Sequence, residues 1–207
     1  TAGQPVPECL ARTSCPDFSS GSPRRTRGAC PHLGLDAPLT DPEVALTRFA
    51  LRPAQPRDVP AIVGLICELA EFEHLTHLLQ VTPDSLHPHL FGPNPAAEAT
   101  VAEAGGDVVA FALCFTNFST FLGKPGLYLE DLYVQPAWRG KGIGKAMLRR
   151  LADLACQRGC GRFEWSVLDW NSNAIAFYEG MGAVVMPDWR ICRVTGEALE
   201  NLARGDD

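Results

Sequence analysis

No apolar run in the 207-residue chain approaches the ~18 residues that a membrane-spanning helix needs, so no membrane span or membrane partner is expected. An excess of positive charge is also missing. Eighteen Lys and Arg stand against 24 Asp and Glu, a formal charge of −6, which excludes nucleic-acid binding through bulk charge. The composition is neither collagen-like nor coiled-coil-like, and no internal repeat is visible. The 8 cysteines include no Cys-x-x-Cys; Cys156 and Cys160 stand at i, i+4 and the rest are scattered. They read as reduced thiols used as small hydrophobes. Four converging zinc ligands cannot be nominated, and no metal is expected.

What remains is a globular composition, 46% apolar and 20% charged, fitting one domain with an appendage. Residues 1–48 form the appendage. Pro, Ser, Gly, Thr and Arg dominate there, apolar residues show no period, and such a stretch cannot bury enough surface to offset its chain entropy. A start at Thr1 instead of Met fits a fragment or a processed product. Glu8, Asp17, Asp36, Asp41 and Glu43 spoil the acid-poor signature of a transit peptide. The segment is expected to be a disordered extension, with targeting as the other reading. The protein is expected to be cytoplasmic, or organellar if 1–48 is a targeting segment.

Hydrophobic periodicity then predicts a folded part over 49–207. Phe49 to Arg52 is a strand closed by Pro53, and Asp58 is expected to cap a helix whose buried face carries Ile62, Val63, Leu65, Ile66 and Leu69. A short helix starts at Thr82-Pro83. Strands about Ala99–Ala104 and Val108–Phe115 flank Gly105-Gly106-Asp107, a hairpin signal. A loop over Thr116–Gly126 precedes a buried strand, Leu127–Val134. Then come a helix over Ile143–Gln157, an alternating strand Arg162–Leu168, and a helix about Ser172–Met181 capped by Asn171. A last strand around Trp189–Val194 and a C-terminal helix close the order. That order indicates an α/β fold, a mixed sheet with helices on its faces.

Between Val134 and Ile143 lies Gln135-Pro136-Ala137-Trp138-Arg139-Gly140-Lys141-Gly142-Ile143-Gly144-Lys145. Alternating glycines let the backbone curl and approach a ligand, and the following helix offers unpaired N–H groups and a partial positive charge. Together they make an anion cradle, to which Arg139, Lys141 and Lys145 add charge. A Walker A loop is excluded because Arg139 stands where its first glycine belongs and Ala146 follows Lys145. The dinucleotide fingerprint fails because its third glycine would fall on Lys145.

The run Val134-x-Pro136-x-x-Arg139-Gly140-x-Gly142-Ile143-Gly144 resembles the acetyl-CoA loop of the GNAT superfamily of N-acetyltransferases. A second run agrees: Asn171-x-Asn173-Ala174-x-x-Phe177-Tyr178-Glu179-x-x-Gly182-Ala183. The resemblance covers roughly 49–204. It implies a GNAT fold: a mixed, mostly antiparallel twisted sheet, helices on both faces, and central strands splayed around CoA. Acetyl-CoA would be the acyl donor, its diphosphate on Arg139, Gly140, Lys141, Gly142, Ile143, Gly144 and Lys145. Its pantetheine arm would pair near Leu132 and Val134. Leu69-Ala70-Glu71-Phe72-Glu73, Tyr128-Leu129-Glu130-Asp131 and Leu168-Asp169-Trp170-Asn171 are similar to diamine and polyamine acetyltransferases. Asn117–Leu122 and Asp188–Gly196 are similar to the plant branch of ornithine acetyltransferases and tyramine hydroxycinnamoyltransferases. The uncharged hairpin Asn117–Leu122 departs from the spermidine enzymes, which disfavours long polyamines. Family likeness also implies a homodimer.

An alkyl amine arrives protonated and must lose a proton before it attacks a thioester. Glu130, on the strand feeding the loop, is the candidate base, and Asp131 matches a family position that holds the amine's charge. A regular strand would point the two to opposite faces, so both reach one pocket only if a bulge breaks the alternation, and the resemblance implies such a bulge on this strand. Tyr178 matches the family's general acid for the leaving thiolate, and a backbone N–H near Leu132 would hold the oxyanion. Asn171 reads first as a helix cap, with a family counterpart that also touches CoA. Glu73 is expected to receive the distal cation of a diamine, with Trp189 and Phe72 lining the amine pocket. The expected activity is acetyl transfer to a primary amine of a small diamine or basic amino acid, by direct attack in a ternary complex. Hydroxycinnamoyl transfer to tyramine and a silent CoA-binding module are the alternatives.

Overall fold

The computed structural model describes residues 48–205; the extension read over 1–48 falls, apart from Arg48, outside them. The elements are β1 (Ala50–Pro53), α1 (Val59–Phe72), α2 (Pro83–Phe91), β2 (Glu98–Ala104), β3 (Asp107–Ser119), β4 (Lys124–Val134), α3 (Ile143–Gln157), β5 (Arg162–Trp165), α4 (Ser172–Glu179) and α5 (Glu197–Arg204). The strands form one 5-stranded sheet in the order β1-β2-β3-β4-β5. Neighbours are antiparallel except β4 and β5, which run parallel. Gly105 and Gly106 turn β2 into β3 with φ of +63° and +95°, the two positive values a tight hairpin needs.

Alternation along β3 divides the core into two layers. Ala110, Ala112 and Cys114 face α3 and meet Ile143, Met147 and Leu151, with Leu127 and Leu129 of β4. Phe111 and Leu113 face the other way, onto Ile62 and Leu65 of α1, with Tyr133 of β4. Each fully buried Leu, Ile, Met or Phe among them contributes about 2 kcal/mol. Helices thus lie on both faces, as expected. Among the described residues no helix is long and apolar enough to cross a membrane.

Four local expectations are corrected. Asp58 holds the N-cap position of α1, but its side chain does not bond the helix's N–H groups. It sits at the end of a 3-10 turn, where its Oδ2 accepts from the Gln55 N–H at 2.7 Å. Arg52 chelates it at 2.6 and 3.0 Å and holds its carboxyl below the usual range. Arg52 also reaches Glu103 on β2, so the three groups clamp the start of α1 to the sheet.

The stretch Thr116–Gly126 is not a loop. β3 and β4 stay paired to Ser119 opposite Lys124, with Asn117 opposite Gly126. Gly126 permits this: a Cβ there would lie 2.3 Å from Asn117 Oδ1, beside the Arg162 side chain. The strand read over Arg162–Leu168 stops at Trp165 because β4 leaves its partner after Leu129. Trp189–Val194 forms no strand. A strand needs a partner edge, and here Trp189 and Ile191 are 72% and 69% exposed.

Candidate active site

The site is organised by one irregularity. Cys114 pairs with Leu129 and Leu113 with Asp131, so Glu130 is an extra residue bulged out of β4. The bulge has two consequences. It resets the alternation, leaving Leu127 and Leu129 on the α3 face and bringing Leu132 and Val134 to the same face. It also ends the pairing with β5, which covers only Gly126–Leu129. From Glu130 to Val134 the β5 side of β4 is therefore open, and its backbone groups are offered to a ligand. This is the expected splay.

The bulge gives Glu130 and Asp131 different surroundings. Glu130 is exposed, whereas Asp131 is partly buried. Burial, and then the charges of Glu130 and Glu73, push the Asp131 carboxyl up to about 6. Glu73 is itself raised by burial. Tyr178 on α4 is raised by burial and then by Glu73, so its phenol keeps its proton at neutral pH. Elements far apart in sequence thus bring Glu73 within electrostatic reach of both Asp131 and Tyr178. The Tyr178 ring is fixed edge-on to Trp165, 5.1 Å between centroids, and by Phe177 at 5.5 Å.

At the end of β4 the glycine turn curls as its residues predict. Gly140 and Gly142 have φ of +75° and +84°, and a Cβ at either would meet nothing within 4 Å, so the backbone alone demands glycine there. Gly142 precedes α3 with no side-chain cap, leaving the helix's first N–H groups free for an anion. Gly144 is not demanded in this way: a Cβ there would sit at ordinary contact distance, 3.7 Å from Phe177 and 4.0 Å from Val134. Ile143 is buried in the core, so only its backbone faces the turn. The fit to a diphosphate is therefore a main-chain fit.

The cations differ from the expectation. Arg139 does not extend over the turn: its Nε donates to the Val134 carbonyl at 2.9 Å. Its guanidinium lies 5.2 Å from the Phe72 ring centroid and 5.4 Å from that of Tyr133. Lys141 rests its Nζ 4.3 Å over the Trp138 ring. Lys145 lines a groove with Phe163 and Trp165 of β5 and with Met181 after α4. Asn171 is a helix cap, its Oδ1 accepting from the Ala174 N–H at 3.2 Å.

Three features were not foreseen. Glu68 accepts from the Tyr133 hydroxyl at 3.1 Å and from Gln135 Nε2 at 2.8 Å, tying α1 to the end of β4. Its place one turn before Phe72 on α1 was the available signal. Next, α1 ends in a Schellman motif, with Leu75 N–H on the Ala70 carbonyl and His74 N–H on that of Glu71. His74 takes its left-handed position with φ +60°, at a cost of about 1 kcal/mol for a residue with a Cβ. Finally, Trp170 meets both Phe72 and His74. Trp189 is not brought into this cluster; it lies in the exposed segment after α4. Among the described residues no group of three or more His, Cys, Asp or Glu is placed to hold a metal.

Comparison with known proteins agrees with this geometry. The profile of the acetyltransferase (GNAT) family matches residues 65–183. The chain is 36% identical to an L-ornithine N5-acetyltransferase of Arabidopsis thaliana, over 83% of this chain and 97% of that protein. It is 37% identical to a thialysine N-epsilon-acetyltransferase of Mus musculus, over 74% of this chain and 96% of the mouse protein. Among solved structures, an integron cassette protein from the mobile metagenome of V. cholerae shares the fold. It superposes with a TM-score of 0.64 at 24% identity, covering 75% of this chain and 98% of the other. By its splayed sheet, its glycine turn and this match, the chain belongs to the acetyltransferase (GNAT) family.

Proposed function

We propose that the protein transfers the acetyl group of acetyl-CoA to a primary amine of a small diamine or basic amino acid, by direct attack in a ternary complex. The observation that carries the substrate class is the carboxylate cluster. Asp131, partly buried beside Glu130 and Glu73, forms no ion pair among the described residues, and a compact cation offsets that repulsion. The neutral ring of tyramine would leave Glu73 uncompensated, so the hydroxycinnamoyl alternative is less well supported.

In this reading the diphosphate of the donor rests on the backbone of 140–144, where Lys141 and Lys145 add charge. The pantetheine arm pairs with the open edge at Leu132 and Val134. The ammonium enters between Asp131 and Glu73, and its proton passes to the Glu130–Asp131 pair, with Glu130 as base in the sequence reading. The freed amine attacks the thioester carbonyl, the oxyanion leans on a backbone N–H near Leu132, and Tyr178 protonates the departing thiolate. The second proton of the new amide nitrogen returns to Tyr178. Asn171 contributes by holding α4, and with it Tyr178, in place.

Two coarser elements belong to the same reading. A homodimer is supported by the exposed Val184, Met186, Trp189 and Ile191, which a second copy would cover. A cytoplasmic setting is supported by the free thiols of Cys67, Cys114, Cys156, Cys160 and Cys192.

The test is release of free thiol from acetyl-CoA with ornithine, putrescine, spermidine, thialysine and tyramine. Release is expected with ornithine, thialysine or putrescine, and less with spermidine. Binding of CoA without release for any amine would overturn the enzymatic reading, and release only from cinnamoyl thioesters would move it to a bulkier acyl group.

A further inference from the structure

The end of α1 and the turn before α4 meet in an aromatic cluster that the transfer chemistry does not use. The Phe72 and Trp170 rings are 5.8 Å apart and tilted, and His74 stacks on Trp170 at 6.3 Å with the planes at 29°. Glu73 stands between Phe72 and His74 in the chain, and its charge is felt at both Asp131 and Tyr178. Arg139 already lies against the Phe72 ring. The aromatic surface left for a ligand is that of Trp170, 50% exposed.

His74 sharpens the inference. It holds the position in a Schellman motif where glycine is the least costly choice, and among the described residues it alone has positive φ without being glycine. Strain of this kind persists where its surroundings hold it, and it gathers at ligand clamps. Here the imidazole is held against Trp170. A flat aromatic wall beside a carboxylate suits an alkylammonium: the carboxylate takes the charge and the ring face takes the polarised C–H and N–H groups.

Resting on the amine-transfer reading, we propose that Trp170 and His74 are specificity-determining residues that bracket Glu73 and receive the distal cation of the amine substrate. The charge of Glu73 is felt at Asp131, so the two cation sites are close. The bracket therefore selects a short dication over a monoamine and over a long polyamine.

The experiment compares putrescine with 4-amino-1-butanol, whose hydroxyl replaces the distal ammonium, in Trp170→Leu and His74→Gly. The second variant removes the ring but keeps a residue at ease in the left-handed backbone, so it should melt no lower than wild type. Each variant should lower kcat/KM for putrescine about tenfold through KM, and that for aminobutanol less than about twofold, with the KM of acetyl-CoA unchanged. An unchanged ratio, or equal losses for both amines, overturns the proposal. Calorimetry of putrescine with CoA-loaded protein separates the two readings. If no amine is acetylated but Trp170→Leu weakens putrescine binding, the transfer reading falls and the bracket stands. If Trp170→Leu leaves that affinity unchanged, the bracket falls.

Discussion

Arg139 donates from Nε to the carbonyl of Val134, five residues before it and on the open edge of β4. The guanidinium is thereby turned away from the glycine turn and laid against Phe72 and Tyr133. Under the proposed function, Arg139 would therefore serve the amine side of the site more than the anion cradle. Arg139→Ala should raise the KM for the amine about fivefold, through loss of the support behind Phe72. The dissociation constant of CoA should change less. Arg139→Lys should behave like the alanine variant, since an ammonium cannot lie flat against two rings. Steady-state kinetics with calorimetry of CoA checks the division.

Asp131 makes activity and stability depend on pH in opposite senses. Its carboxyl titrates near 6 in the folded protein, above its ordinary value. As pH falls through about 6 it takes up a proton, so kcat/KM for the amine should fall there. For stability, the folded state binds this proton more readily than the unfolded chain. The destabilising contribution is full above the folded value and vanishes below the unfolded one. Asp131→Asn should therefore stabilise by roughly 2 kcal/mol at pH 8, after allowance for partial solvent access, and by nothing near pH 3.5. Thermal melts of both proteins across that range measure it, while the variant loses activity.

Tyr178 is packed by Trp165 and Phe177 and keeps its proton through burial. Tyr178→Phe retains the ring and removes only the hydroxyl. It should lower kcat about a hundredfold while CoA affinity and melting temperature stay close to wild type. An unchanged kcat would remove Tyr178 from the acid role.

Gly142 and Gly144 are two residues apart yet answer to different physics. Gly142 has φ +84° with open space around it, whereas Gly144 has an ordinary φ and a close neighbour in Phe177. Gly142→Ala should cost about 1 kcal/mol of stability and also weaken CoA binding, because the backbone must leave the left-handed region. Gly144→Ala places its Cβ at ordinary contact distance, 3.7 Å from Phe177, and should cost less. Denaturant titration and CoA calorimetry on the two variants give the comparison.

Much of this site could be read in one dimension because its signals are local. The glycines of the turn, the start of α3 at Ile143 and the Asn171 cap all rest on neighbouring residues and appear where expected, whereas the bulge at Glu130-Asp131 was implied by family resemblance. The misreadings share a cause. Thr116–Gly126 looked like a loop because polarity was read without the partner strand, and Trp189–Val194 looked like a strand for the same reason. Asp58 had the right chemistry for a cap but was claimed by Arg52.

Periodicity and backbone preference were sufficient to dictate most helices and strands and the curl of the anion turn, and two motif runs pointed to the family of chemistry. Which charges and rings face one another had to await folding. Glu73 at the end of α1, Asp131 on β4 and Tyr178 on α4 become one electrostatic unit through long-range packing. So do Arg139 with Val134, and Trp170 with His74. Hydrogen bonding and capping act over a few residues and leave a trace in the chain. Desolvation and charge coupling act through space, and take their values only once the sheet has brought distant segments together.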